Sequence, residues 1–460
     1  MSVTGFRKII LTFIIGFSLT QLKAQPLINI TEALIPAGID SMGDHFNFGD
    51  PLHPSDEKPI HLVKTDSFYM AVYVTTNQQF LTYLNDAKAN GVIEVRGDTG
   101  VFPVGGTDLY CYLNYYESYY SIAYNGSSFT IADFRADHPM VGVMWDGAAA
   151  YCNWLSQQNG LQPCYNLTTW DCDFAKNGYR LPTEAEWEWA ARGGHTNPYL
   201  QYENSDTAIL NEANLSGSST NPYHTGALPY TTPVGFFDGT LKQKSIYNWP
   251  GAASSYQTAN GINGYGLYDM QGNVWQFVND WYLNNYYSTS PYNNPTGPTK
   301  AAASLMPDGQ PYRTQRGGNW WNGDTVYGIF DGHSRASNRD PLYYRGPGNT
   351  WHQEGFRVAR NYSAPTDMNE IPANEIQLFQ NFPNPFNAVT TIQFVLQKSE
   401  TVTLSVFDSF GQLVKILANE KLNKGLQTYQ WNADDHPAGI YSCKLQIDKQ
   451  VSMKKMILIK

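Results

Sequence analysis

Between residues 25 and 360 the chain offers only three segments with helical periodicity, and this scarcity constrains its fold more than any other feature. Residues 78–90 set Phe80, Leu81 and Leu84 on one face, with Asn77 placed as the cap. Residues 145–158 carry Ala149, Cys152 and Leu155 as an apolar stripe. The third segment opens with Leu181-Pro182-Thr183-Glu184-Ala185-Glu186, a capping box with Thr183 as N-cap and Glu186 at N3. Gly193 supplies its stop after Arg192. Glu184, Glu186 and Glu188 read as cap and exposed helix face rather than as catalytic carboxylates. The rest is rich in Gly, Asn, Pro and Tyr, so short strands and long loops are expected.

The pattern changes after Arg360. Residues 361–374 hold Ser, Pro, Thr and Asn and read as a linker. Beyond them, alternating runs recur about every ten residues, at 390–396, 401–407, 412–417, 427–431, 439–447 and 451–459. Turn signals separate them, among them Asp408-Ser409-Phe410-Gly411. This spacing predicts a small antiparallel β-sandwich over 375–460.

At the other end, Arg7 and Lys8 precede the apolar run 9–19, and Leu22-Lys23-Ala24 offers a cleavage site. That order predicts a secretory signal over 1–24, and the run is too short for a transmembrane helix. Composition agrees with export: only 15% of residues are charged, while 32 Tyr, 22 Phe and 12 Trp fill the gap. The net charge of −10 excludes a nucleic-acid partner, and residues 25–374 carry 18 basic against 33 acidic residues. Five cysteines occur with no CxxC pair, so zinc-ribbon and thioredoxin-type motifs are absent. Cys164 and Cys172 enclose a short loop that a disulfide could close.

Eight stretches stand in a recognisable order. They are Ile35-Pro36-Ala37-Gly38 with Ser41-Met42-Gly43; Phe68-Tyr69-Met70 with Thr76-Asn77; His138-Pro139-Met140-Val141-Gly142-Val143 with Trp145; and Tyr179-Arg180-Leu181-Pro182-Thr183-Glu184. Then come Thr232-Pro233-Val234; Gly264-Tyr265-Gly266-Leu267-Tyr268-Asp269 with Gly272-Asn273-Val274-Trp275; Arg316-Gly317-Gly318; and Gly355-Phe356-Arg357-Val358-Ala359-Arg360. Together they resemble the formylglycine-generating enzyme, or sulfatase-modifying factor, family across residues 25–360. The resemblance implies an α+β fold related to the C-type lectins, with little regular secondary structure.

The family's oxidase activity uses two cysteines that bind copper, since soft thiolates suit Cu(I). Carried over from Arg316-Gly317-Gly318, the family's active-site serine falls on Asn319, its first cysteine on Asn322 and its second near Tyr327. No cysteine occurs between Cys172 and Cys443, so copper is not expected here. The resemblance also implies a structural calcium held by Asp269, the carbonyls of Gly272 and Val274, and Gln276, where the family usually has Glu. A weaker second calcium site would use Asn214 and the Leu215 carbonyl, with Gly226 where the family has a carboxylate. Asp331-Gly332-His333 and His352-Gln353-Glu354 raise a different possibility, non-heme iron.

The tail resembles the type A sorting domain of the type IX secretion system through Phe382-Pro383-Asn384-Pro385-Phe386-Asn387, Gly439-Ile440-Tyr441 and the basic end at Lys454, Lys455 and Lys460. This implies a type IX secretion partner and passage through the periplasm to the outer-membrane surface or beyond, in a Bacteroidetes-type bacterium. Three functions stay open: an oxidase of the family type, a binding module, or a structural surface protein. The binding reading predicts a cleft for a peptide or glycan lined by Asn319, Trp320, Trp321, Asn322, Arg335 and Tyr343.

Overall fold

The computed structural model describes residues 30–47, 55–97, 100–113, 121–194, 211–215, 221–226, 228–305, 309–321, 332–342, 353–362, 377–378, 381, 386 and, but for a few single positions, 388–458. The expected signal at 1–24 and nearly all of the expected linker lie outside these residues. Among the described residues no helix is long and apolar enough to cross a membrane.

All three expected helices form: α1 (Asn77–Ala89), α2 (Trp145–Gln158) and α3 (Glu184–Ala191). The cap of α1 is Thr76, one residue earlier than expected. Thr76 Oγ1 accepts from Gln79 N (3.2 Å) and Gln79 Oε1 accepts from Thr76 N (2.9 Å), a complete capping box. Asn77 is instead buried and donates to the Arg135 carbonyl. At α3 the capping box stands as expected, with Thr183 Oγ1 accepting from Glu186 N at 3.1 Å.

Two four-stranded sheets organise the large domain. The first joins β1 (Glu32–Ile35), β2 (Phe68–Ala71), β3 (Tyr179–Arg180) and β8 (Ala359–Asn361) in the order β1-β2-β8-β3, so the two ends of the domain meet in one sheet. The second joins β4 (Trp275–Trp281), β5 (Arg313–Arg316), β6 (Asp340–Leu342) and β7 (Glu354–Phe356) in the order β6-β5-β4-β7. Here β4 runs antiparallel to β5 and parallel to β7. The main core lies between α1, α2 and these strands, where Phe80, Tyr151, Leu155 and Phe356 are fully buried. A mixed fold dominated by short strands is what the turn-rich sequence implied.

The glutamates of α3 correct the expectation of an exposed face. Glu184 and Glu188 are both buried and meet arginines from distant segments. Glu188 pairs with Arg192 and Arg316, and Glu184 with Arg339 at 2.8 Å. Burial by itself raises the Glu188 carboxyl, yet Arg192, Arg316 and the Gly43 N–H outweigh it and hold the group at about 2. Glu186, less buried, accepts a bidentate pair from Arg180, both bonds at 2.7 Å. Helix α3 is therefore a charged rod inside the protein, satisfied by imported cations.

The tail folds as six long strands at the six expected places, with one short addition. β9 (Gln377–Leu378), β10 (Val389–Leu396) and β13 (Gly425–Asn432) form one sheet. The other comprises β11 (Glu400–Asp408), β12 (Leu413–Leu422), β14 (Gly439–Ile447) and β15 (Gln450–Leu458), ordered β12-β11-β14-β15. Ile392 and Phe394 of the first sheet share one core with Leu404, Val406, Cys443 and Leu445 of the second. Two antiparallel sheets over a common apolar layer make the expected sandwich. All five cysteines are free thiols, so the loop between Cys164 and Cys172 is not closed by a disulfide; Cys164 Sγ donates to the Gly178 carbonyl at 3.3 Å.

Candidate functional site

Three loops converge where β4 begins and β5 ends, because Gln276 faces Arg316 across that strand pair. Gly272 N donates to the Gly317 carbonyl (2.7 Å), and Trp320 N donates to the Asn273 carbonyl (3.1 Å). Gly272 has φ +71°, and a Cβ there would sit 2.5 Å from the Asn214 carbonyl oxygen, so only glycine fits. Asn273, fully buried, ties in the third loop: its Oδ1 accepts from Thr232 N and Asn214 Nδ2, both at 3.1 Å. Residues 41 to 59 positions apart in sequence thus form one rigid platform.

Asn319 sits at its edge, buried, with Nδ2 donating to Gln353 Oε1 (2.6 Å) and Oδ1 accepting from Trp321 N (2.6 Å). Trp320 is only 2% exposed, so it supports the surface rather than lining it; its ring packs edge-on against Tyr230 at 5.3 Å. Tyr230 in turn stacks on His224 at 5.8 Å. Trp321 is 47% exposed and rests edge-on against Trp320. The expected role of Arg335 is overturned. Its guanidinium is wholly buried and bidentate on Glu57, at 2.6 and 2.8 Å, and so belongs to the interior. Asn322, Tyr327 and Tyr343 lie outside the described residues. Tyr230 and His224 were missed by sequence reasoning; the nearby Thr232-Pro233-Val234 motif was the signal that this loop belonged to the site.

The oxygens expected to hold calcium are committed elsewhere. Gln276 Oε1 accepts from Arg357 Nε (2.7 Å) and Trp187 Nε1 (3.0 Å), while its Nε2 donates to the Asp269 carbonyl (2.6 Å). Arg357 also donates to the Tyr268 carbonyl at 2.6 Å. A guanidinium thus stands beside the position a cation would share, and the amide offers it no free oxygen. Asp269 accepts from Gly235 N (2.8 Å) and, more weakly, from Asn273 Nδ2 (3.4 Å); burial raises its carboxyl. The Gly272 and Val274 carbonyls are left with Asp269 as the protein oxygens, so water would have to supply the rest of a six- to eight-oxygen shell. The second set fares no better. Asn214 Oδ1 already accepts from Asn221 Nδ2 (2.9 Å) and His224 Nε2 (2.7 Å), leaving only the Leu215 carbonyl. Burial lowers His224 to about 4, so its ring is neutral and Nε2–H is the donor.

His333 lies edge-on to Trp275, with Nε2 4.0 Å from Asp340 Oδ2. His352, the other histidine of the iron reading, is outside the described residues. Among those described, no three His, Cys, Asp or Glu side chains converge on a metal position. Copper finds no ligands either: the cysteines nearest in sequence are Cys172 and Cys443, and no thiolate can follow Gly317-Gly318. The residues present do not fit that metal.

Comparison with known proteins agrees with this platform of motifs. Residues 20–362 match the sulfatase-modifying factor enzyme 1-like domain, and residues 380–460 match a secretion system C-terminal sorting domain of the type IX kind. A formylglycine-generating enzyme from Streptomyces coelicolor is 28% identical over 351 residues, covering 74% of this chain and 91% of that protein. The serine/threonine-protein kinase pkn1 of Chlamydia caviae is 27% identical over 308 residues, 65% of this chain but only 34% of the kinase. Among solved structures, Treponema denticola variable protein 1 aligns with a TM-score of 0.43 and 21% identity over 72% of this chain and 95% of its own. The chain belongs to the sulfatase-modifying factor enzyme family and carries a type IX sorting domain behind that fold.

Proposed function

We propose that this protein is an exported binding member of its family, one that recognises a peptide or glycan at the Trp321 face and does not oxidise cysteine. One observation carries the reading. After Gly317-Gly318 the chain has Asn319 and Asn322 where the family's oxidase places its serine and first thiolate, with Trp320 and Trp321 between them. An exposed indole backed by a buried one is a recognition surface: the ring stacks on an apolar ligand face, and the buried Trp320 holds it in place. The sorting domain takes such a surface to the cell exterior.

The test has two arms. A peptide with the Cys-x-Pro-x-Arg motif of sulfatases, incubated with the protein and copper, is expected to keep its thiol by mass spectrometry. Conversion to the aldehyde faster than with copper alone would defeat the proposal. In the second arm, labelled full-length protein is applied to peptide and glycan arrays. Trp321→Ala is expected to abolish the signal and leave the melting temperature within about 1 °C of wild type, because exposed aromatic anchors cost ~2 kcal/mol or more in binding when truncated.

A further inference from the structure

The far end of the β4–β5 pair holds a second site. Trp281 faces Arg313 in the register, whereas Gln276 faces Arg316 at the Trp321 end. At ~3.3 Å per residue the two ends of β4 stand about 20 Å apart. A cavity of about 460 Å³ opens there, within the ~300–1,000 Å³ usual for small-molecule sites. Of its lining residues, Trp145 alone belongs to a motif of the family resemblance.

Arg313 marks the place as unusual. Of the other buried arginines, Arg180, Arg192, Arg316, Arg335 and Arg339 each meet a carboxylate, and Arg357 is taken up by Gln276 and backbone carbonyls. Arg313 has no such partner among the described residues. It is clamped between the indole of Trp145 (3.5 Å) and that of Trp281 (3.4 Å) and donates to the Asn279 carbonyl at 2.5 Å. Its guanidinium lines the cavity with Asp108, Asp146 and Lys300, whose Nζ lies 5.4 Å from the Trp281 ring. The Trp145 indole is locked by a 2.9 Å bond to the Val278 carbonyl, so the clamp is pre-formed. Such rigidity without a structural ion pair suits recognition rather than stability.

The lining selects its ligand by exclusion. A singly charged ligand would meet its like, because two cations and two carboxyls share the walls. A purely apolar one would take both aspartates and the remaining Arg313 N–H groups out of water with no hydrogen bond in return. A ring with one apolar C–H face and several hydroxyls satisfies all of them: the face packs on the aromatic surface that Arg313 leaves open, Trp170 included, and the hydroxyls donate to carboxylates and accept from Arg and Lys. Burial, together with Asp108, raises Asp146 to about 6, so this carboxyl can also donate in mildly acidic surroundings.

We infer that the cavity between Trp145, Trp281 and Arg313 binds a neutral pyranose, as a free sugar or a glycan terminus. This site is separate from the Trp321 face and does not depend on it.

The test titrates the full chain with methyl glycosides of glucose, galactose, mannose and N-acetylglucosamine, and with glucuronate as the charged control. Saturation-transfer NMR and tryptophan fluorescence read the binding. At least one neutral glycoside is expected to saturate in the millimolar range and to exceed glucuronate. Trp281→Ala and, at the rim, Asp108→Asn should each weaken it at least tenfold. Asp108→Asn guards against a folding defect in the tryptophan variant. Trp321→Ala should leave the sugar affinity unchanged. No saturable binding by any neutral glycoside overturns the inference, as does binding that survives both cavity variants.

Discussion

The large domain and the tail bury different things. Inside the large domain, α3 alone brings Glu184 and Glu188 to arginines from two other segments and to Arg192 at its own C-cap, and Arg335 meets Glu57 nearby. The tail's core is Ile392, Phe394, Leu404, Val406, Leu445 and their neighbours; its buried polar residues are Asn381, Thr390 and Ser405, none charged among the described residues. A domain of loops has too few repeating backbone ladders to fix its segments. Directional charge pairs do that pinning, at a desolvation cost that makes each one sensitive to losing a partner. A sandwich with continuous ladders needs only apolar shape. The contrast teaches where each region is fragile.

The largest expected effect follows from it. Glu188→Gln removes the charge that Arg192 and Arg316 share and leaves both guanidinium groups buried. The large-domain transition should lose about 3–5 kcal/mol. Leu404→Ala in the tail should cost ~2–5 kcal/mol in the tail transition, while the volume-conserving Leu404→Met should cost less than ~1.5 kcal/mol. Calorimetry or chemical denaturation of the full chain reads both transitions. The comparison breaks if Glu188→Gln is as mild as Leu404→Met.

Acid should separate the regions next. Glu188, depressed to about 2 against 4.5 for a free glutamate, contributes stability that is complete above the unfolded value and lost as pH falls toward 2. Asp40 and Asp146, each raised to about 6, act oppositely: lowering pH from 6 toward 4 relieves their burial. The neutral His138 and His224, both lowered by burial, lose stability over that same span, since the unfolded chain takes up the protons first. These two sets offset one another between about pH 6.5 and 4, and below that Glu188 and His138 act together. The large-domain melting temperature should hardly move from pH 7 to 5 and drop steeply below about 4, with the tail following a flatter curve. A drop in Glu188→Gln as steep as in wild type would remove Glu188 as its source.

Much of this was legible in the residues, and the misses share one cause. The tail strands follow from alternation with a period of two, and the α3 cap from Thr183 and Glu186 three residues apart; both are local. Thr76 was misjudged only because Asn77 is also a good cap, although Gln79 completes the box with Thr76 alone. Burial of Glu184 and Glu188 was invisible because the partners of those residues, Arg339 and Arg316, stand 155 and 128 residues away. Arg335 was assigned to a cleft for the same reason, its carboxylate being 278 residues distant at Glu57. Trp320 and Trp321, adjacent in sequence, differ only in which way the platform turns them. Spacing can locate a loop, but it does not say which of two neighbours faces water.

The smallest expected effect concerns calcium at Asp269, and it sharpens the comparison because it asks whether a metal joins the arginines as a fixing charge. A site with a dissociation constant a hundredfold below the calcium supplied would add about 2.7 kcal/mol, or roughly 4 °C for a domain of this length. The geometry leads to the opposite expectation. Arg357 already bonds the Gln276 oxygen and the Tyr268 carbonyl, supplying from within the chain the positive charge this loop would take from a metal. Melting curves with millimolar calcium and with chelator should therefore coincide within about 1 °C. Arg357→Met should lower the large-domain transition, for it strips partners from Gln276 and three or more backbone carbonyls at once. In that variant calcium should recover part of the loss, since Gln276 Oε1 is released toward the loop. A chelator-dependent fall of several degrees in wild type would return Asp269 and Gln276 to the role of metal ligands and leave Arg357 as their neighbour.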